Sequence, residues 1–148
     1  MGCDIHDLIQ IKKDGKWVNS DFLGYRHRDY KTFAVIAGVR NRYSITPISL
    51  PRGLPPIEKD VAVSEIERIL KLDPKIENFE DSELGDHSFS FLLAKELLEF
   101  NWDKHTNQGI TYKEMCLLFF ETFVTKTIKD LADKYGAENV RWVFGFDS

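Results

Sequence analysis

The opening residues alternate between apolar and polar. Cys3, Ile5, Ile9 and Ile11 fall on one side and Asp4, His6, Leu8 and Gln10 on the other, the period of a half-buried strand over residues 3–12. Asp7 breaks the pattern by placing a charge on the apolar side. Asp14-Gly15 then suits a tight hairpin turn, and Trp17-Val18 begins the predicted returning strand. Alternation resumes over residues 139–146, where Val140, Trp142, Phe144 and Phe146 share a side. This predicts a terminal strand that pairs with the hairpin and lies over a long helix.

That helix starts at Thr111, with Glu114 in capping-box position, and runs through Leu117, Phe120, Val124, Ile128, Leu131 and Tyr135 at helical spacing. Gly136 stands where a C-terminal cap belongs. Shorter helices are predicted over residues 30–39 (Phe33, Ile36, Ala37), 64–72 (capped by Ser64 and Glu67) and 94–100 (Leu97, Leu98, Phe100), with a short strand over 88–92. Residues 19–30 and 73–86 read as connections. So do residues 40–60, where Pro47, Pro51, Pro55 and Pro56 block regular structure. A loop that long is usually functional or disordered, and its arginines favour function. The fold class expected is α+β: an N-terminal β-hairpin and a C-terminal strand in a mostly antiparallel sheet, packed by one long and several short helices.

A chain of 148 residues fits a single domain, 1–148, large enough to bury a core without staples. Cys3 and Cys116 suggest no disulfide framework, and Cys116 reads as a core thiol within a helical run. Asp4, His6 and Asp7 interrupt any apolar opening stretch, so no signal peptide is expected. No apolar run approaches a membrane span, and the expected location is the cytoplasm. Charge is uneven: residues 1–56 carry nine Lys/Arg against five Asp, +4, and the remainder 11 against 19, −8. Such a distribution argues against a long nucleic acid as partner and allows a local anion site in the first third.

Candidate chemistry gathers there. Asp4 and His6, two apart on a strand, project from one face roughly 6.7 Å apart and can serve one ligand. Asp-x-His also opens the two-metal phosphoesterase pattern, but the later Gly-Asn-His and Gly-His-x-His of that pattern are missing. No metal and no other cofactor is expected. Arg26, Arg28, Arg40, Arg42 and Arg52 lie in or beside predicted loops, and guanidinium forks are natural phosphate clamps. Tyr25, Tyr30 and Tyr43 interleave with them as stacking surfaces. Pro51-Arg52-Gly53-Leu54-Pro55 presents Arg52 between rigid ends, and Asp86-His87-Ser88 with Ser90 adds an acid–base histidine among hydroxyls. For each group the bland alternative is surface charge, a turn or a cap.

The chain resembles a family of short proteins from tailed-phage genomes. The likeness rests on Met1-Gly2-Cys3-Asp4-Ile5-His6, Arg28-Asp29-Tyr30, Phe33-Ala34, Ala37-Gly38-Val39-Arg40-Asn41 and Pro51-Arg52-Gly53-Leu54-Pro55. It continues through His87-Ser88-Phe89-Ser90-Phe91 and Val143-Phe144-Gly145-Phe146-Asp147. Phe91 and Gly145 stand where tryptophan is expected. The resemblance implies a phage origin and hence the cytoplasm of an infected bacterium. Small phage proteins with arginine-lined pockets include sponges that sequester host nucleotide signals, often as oligomers, and enzymes that cleave such signals. By analogy of class, the first expectation is anti-defence capture of a nucleotide-derived small molecule by Asp4, His6, Arg26, Arg28, Tyr30, Arg40, Asn41, Arg52, His87, Ser88 and Ser90, with a homo-oligomer as the expected assembly. The alternative is a phosphodiesterase in which His6 and His87 act as general base and acid. A third reading is a structural or protein-interaction role.

Overall fold

A computed structural model describes residues 2–55 and 84–148. The predicted helix over residues 64–72 lies outside the described residues, as do parts of the neighbouring connections. Strand β1 (Asp4–Lys13) turns back into β2 (Lys16–Asn19), and the element order continues with α1 (Tyr30–Ala37), β3 (His87–Leu93) and α2 (Ala94–Glu99). A helical run then leads to β4 (Val140–Asp147). The four strands form one antiparallel sheet in the order β2-β1-β4-β3. The C-terminal strand is therefore central, paired with β1 from Asp4↔Asp147 to Ile11↔Val140. The α+β class, the N-terminal hairpin and the C-terminal strand are as the alternation predicts.

Local chemistry explains the joints. Asp14 and Gly15 both take positive φ, 52° and 77°, so the hairpin turn is of the mirror-image kind that matches strand twist. Asp29 caps α1 by accepting from the Thr32 N–H, and Gly38 ends it with φ 70°, its own N–H bonded to Ala34 O. In β3 the register with β4 shifts between His87 and Ser90, where Ser88 takes φ 56°, a bulge at the sheet edge.

One face of the sheet carries Ile5, Ile9, Ile11, Trp142, Phe144 and Phe146 into the main core, against Phe33, Phe119, Phe123 and Ile128. The opposite face has a smaller cluster around Leu84 and Val143, joined by Leu8, Phe89 and Phe91. Gly145 explains why tryptophan is excluded at its position: a Cβ there would collide with the Leu84 carbonyl oxygen and stand 2.8 Å from the Phe89 ring.

The long helix departs from its expected form. It breaks at Cys116 (φ −122°, ψ 45°), which separates α3 (Tyr112–Met115) from α4 (Leu117–Phe119). The chain then winds as a π-helix over Phe120–Ile128 and returns to α5 (Lys129–Tyr135). The wider turn rotates later side chains relative to a 3.6-residue period. Phe119 and Phe123 enter the core, while Leu117, expected inside, is 45% exposed. No described helix is long and apolar enough to cross a membrane.

Replacing Gly145 with alanine is expected to cost about 1–3 kcal/mol by overpacking. Urea unfolding of the variant checks this, and an unchanged midpoint would contradict the tight approach of Leu84.

Candidate functional site

The site grows from the one residue that breaks the alternation of β1. Asp7 faces the core, and its carboxylate has no solvent exposure. Oδ2 accepts the Tyr25 N–H at 2.6 Å and the Trp142 indole N–H at 2.7 Å; Oδ1 accepts Arg26 Nε at 2.9 Å. Arg26 Nη2 also donates to the Asp7 carbonyl at 3.1 Å. Gly24 passes so close to the carboxylate that a Cβ would overlap it. The segment between β2 and α1 is thus held along the outer edge of β1 by side-chain bonds, with Ser20 N–H to Ile9 O as the last backbone contact with that strand.

Between that last contact and Arg26 lies a cleft of about 450 Å³, lined by His6, Asp7, Leu8, Asn19, Ser20 and Arg26. Arg26 spends one edge of its guanidinium on Asp7, yet its side chain is 62% exposed and Nη1 has no hydrogen bond among the described residues. His6 is oriented from behind, Nε2 standing 2.5 Å from Asp147 Oδ2, and Nδ1 has no hydrogen bond among the described residues. Asn19 is fixed by relay: Arg141 Nε donates to Gln10 Oε1 at 2.7 Å, and Gln10 Nε2 donates to Asn19 Oδ1 at 3.0 Å. That leaves the Asn19 Nδ2 donor without a hydrogen bond among the described residues. Ser20 Oγ accepts the Phe22 N–H at 3.3 Å and keeps its own proton to donate.

Beside the cleft, Arg28 grips Asp4 through two bonds of 2.8 and 3.0 Å, and Gly2 lies against the same guanidinium. Hydrogen bonding to Arg28 holds the Asp4 carboxyl below its ordinary range, and Asp4 in turn raises Arg28. On the far side of the Asn19-Ser20 segment, a second cleft of about 280 Å³ includes Phe22 and Tyr135. Phe22 and Leu23 stand 50% and 77% exposed on the same loop.

No family model, curated protein or solved structure matches the chain. The functional reading rests on geometry.

The expected arginine clamp is not assembled. Arg26 and Arg28 belong to the β1 edge, whereas Arg52 staples the loop of residues 49–53 to the opposite edge, on β3. It forks onto Glu96, reaches Phe91 O at 3.1 Å and lies over the Phe91 ring, while its N–H is accepted by the buried Ser90 Oγ. Arg40 lies over the ring of Tyr30, whose hydroxyl accepts the Cys3 N–H at 3.0 Å. Asn41 closes its own loop through two bonds to the Ile45 backbone. The physical reason for the dispersal is that nearby carboxylates, ring faces and carbonyls satisfy Arg26, Arg28, Arg40 and Arg52 locally.

Nor do the two histidines meet. His6 shares a sheet face with Asp147, whereas His87 lies over Phe146, whose side chain points to the other face. His87 bonds Ser88 Oγ at 2.9 Å and Ser148 Oγ at 2.8 Å. Of the residues expected at the site, His6 and Arg26 line the cleft and Asp4 and Arg28 flank it. Asn19 and Ser20 were not anticipated, since nothing local distinguishes them from loop polarity. Both cysteines are free and buried, and burial pushes the Cys116 thiol up to about 12. Among the described residues no group of three His, Cys, Asp or Glu is placed to hold a metal ion.

The Arg52–Glu96 pair gives a pH signature. Hydrogen bonding to Arg52 holds the Glu96 carboxyl below its ordinary 4.5. A folded-state value below the unfolded one contributes stability above 4.5 that is lost as pH falls through the lower folded value. The gap in urea midpoint between wild type and Glu96→Gln should therefore be widest near neutrality and close on acidification. A gap independent of pH would contradict the assignment.

Proposed function

We propose that this protein binds a phosphate-bearing, nucleotide-derived small molecule in the cleft beside β1. The supporting observation is Arg26: one edge of its guanidinium is locked by a buried carboxylate, so its outward-facing donors are positioned before any ligand arrives. Asn19 Nδ2 and Ser20 Oγ add neutral donors on the same walls and His6 Nδ1 adds an acceptor, a set that suits phosphate oxygens and sugar hydroxyls. The exposed ring of Phe22, in the second cleft across the Asn19-Ser20 segment, offers a surface for a base only if the ligand reaches over that segment. The cleft's volume falls within the usual range for small-molecule sites. The phage resemblance supplies a setting, the cytoplasm of an infected bacterium, in which sequestering a host immune signal is an anti-defence role.

A second reading has one specific observation in its favour. An imidazole oriented by a carboxylate beside an arginine is the arrangement of a general base next to an anion-stabilising group. In this reading His6, oriented by Asp147, takes a proton from an attacking water as its oxygen bonds to phosphorus. Arg26 stabilises charge on the phosphorus oxygens, and the P–O ester bond breaks to release an alkoxide that takes its proton from solvent. His87 takes no part, so the expected pairing of two histidines across one phosphodiester is withdrawn.

Thermal-shift screening against mono-, di- and cyclic nucleotides tests the proposal. A ligand at roughly 100 times its dissociation constant adds about 2.7 kcal/mol to stability. His6→Ala and Ser20→Ala are each expected to weaken the responding ligand about tenfold, the equivalent of ~1.4 kcal/mol, with unchanged circular dichroism. Ligand recovered intact after heating supports capture; new products, lost in His6→Ala, would replace capture with hydrolysis. A panel without any shift would sink both.

The same geometry predicts what Asp7 is worth. Asp7→Ala strands the Trp142 indole N–H and the Tyr25 N–H, at a cost of about 2–4 kcal/mol. In urea unfolding this variant should fall well below wild type, whereas Asp4→Ala, which loses only an exposed ion pair, should stay close to it. Equal midpoints for the two variants would remove Asp7 from its role.

A further inference from the structure

Building on the ligand reading above, we infer that the cleft selects a singly charged phosphodiester over a doubly charged terminal phosphate. The case rests on which charges around the cleft are already answered. Arg26 is the only cation among the described lining residues, and its charge faces the carboxylate of Asp7 at 2.9 Å. On the rim, Arg28 is committed to Asp4 through two hydrogen bonds, and His6 to Asp147. The lining and flanking residues thus hold two guanidinium groups, Arg26 and Arg28, against the three carboxylates of Asp4, Asp7 and Asp147, while the buried Arg141 stands behind Asn19 and donates Nε to Gln10.

The donors that remain are neutral or shared: Arg26 Nη1, Asn19 Nδ2 and Ser20 Oγ, while Nδ1 of a neutral His6 whose Nε2 donates to Asp147 can only accept. These three donors suffice for the two non-bridging oxygens of a diester, which carries a single negative charge. A terminal phosphate brings a third oxygen and, near neutral pH, most of a second charge, since its second ionisation lies near pH ~6. That second charge meets no uncommitted cation among the described lining residues and three carboxylates close by. Like charges in a partly desolvated site repel strongly enough to set selectivity, and specificity often comes from such an unfavourable juxtaposition. Asp7 is therefore a charge filter as well as a structural anchor: the carboxylate that fixes Arg26 also subtracts from the field the ligand meets.

The test is calorimetric titration, above the second ionisation of the monoesters, with matched pairs. These are the 3′,5′-cyclic and 5′-monophosphates of adenosine, guanosine, cytidine and uridine, and a cyclic dinucleotide against its linear 5′-phosphorylated counterpart. The expected result is that the diester of the best-bound pair is favoured at least about tenfold, a difference of ~1.4 kcal/mol. Asn19→Lys adds a cation to the cleft wall without disturbing the Asp7–Arg26 pair, and should narrow or reverse that preference; Ser20→Lys is the second variant should the first not fold. Equal or tighter binding of the monoester by the wild type would overturn the charge filter and leave the ligand reading standing. So would a preference unmoved in a folded lysine variant. If none of the ten compounds binds, the ligand reading itself fails.

Discussion

A carboxylate buried on the apolar face of a strand governs the arrangement of this protein's first third. Burying an ionised group is costly unless donors surround it, and Asp7 is met by the Tyr25 amide, the Trp142 indole and the Arg26 guanidinium. The donors come from two distant parts of the chain. The indole belongs to the central strand β4, while the amide and the guanidinium belong to the connection between β2 and α1. Tyr25 carries the constraint onward: its hydroxyl donates to Asp29 at 2.8 Å, and Asp29 caps α1. Burial and Asp29 together raise the Tyr25 phenol above its ordinary value, so it remains a donor. One off-pattern residue thus registers a strand, a connection and a helix against each other.

The same interaction explains why a cleft exists. Had the connection continued β2 along β1 as a ladder, its backbone would fill the outer edge of that strand. Instead the backbone departs after Ser20 and returns as side chains, Arg26 to Asp7 and Arg28 to Asp4. Side-chain bonds span more distance than ladder bonds, and the space left over is the cleft. They also occupy an edge that would otherwise invite pairing with another chain. At the opposite edge the loop of residues 49–53 does the equivalent for β3, with Gly53 N–H bonded to Phe89 O and Arg52 to Phe91 O.

Sequence pattern reveals those features whose cause is local. Strand alternation, the Asp14-Gly15 turn, the Asp29 and Gly38 caps and the Thr111–Glu114 box all follow from neighbours within a few residues. The π-winding of Phe120–Ile128 does not, because apolar residues at helical spacing satisfy an α-helix equally well on paper. What decides is which aromatic rings the sheet accepts: Phe119 and Phe123 both stack about Trp142, at centroid distances of 5.5 and 4.9 Å. Leu117 loses its place to that tertiary demand. The arginines fail as a predictor for a related reason. Their identity announces affinity for anions, but pairing partners such as Glu96, 44 residues from Arg52, are set by topology alone. Asp7 was the legible clue, a charge where periodicity demands an apolar residue, and its meaning depended on Trp142 arriving from the far end of the chain.

Charge compensation also bears on what kind of binding this architecture permits. A site that waits with unpaired cations holds anions tightly and indiscriminately, and its cations repel one another while it is empty. Here each guanidinium beside the cleft is answered by a carboxylate before a ligand is present, so empty-state repulsion is small and the donors are already oriented. Attraction at a distance is correspondingly weak. For a ligand of the proposed kind, affinity would then come from short-range hydrogen bonds and from contact with apolar surface. Such a site distinguishes ligands by shape and by the number of oxygens presented. The rigidity of the Asp7 anchor, more than the count of basic residues in the first third of the chain, is what would make that discrimination possible.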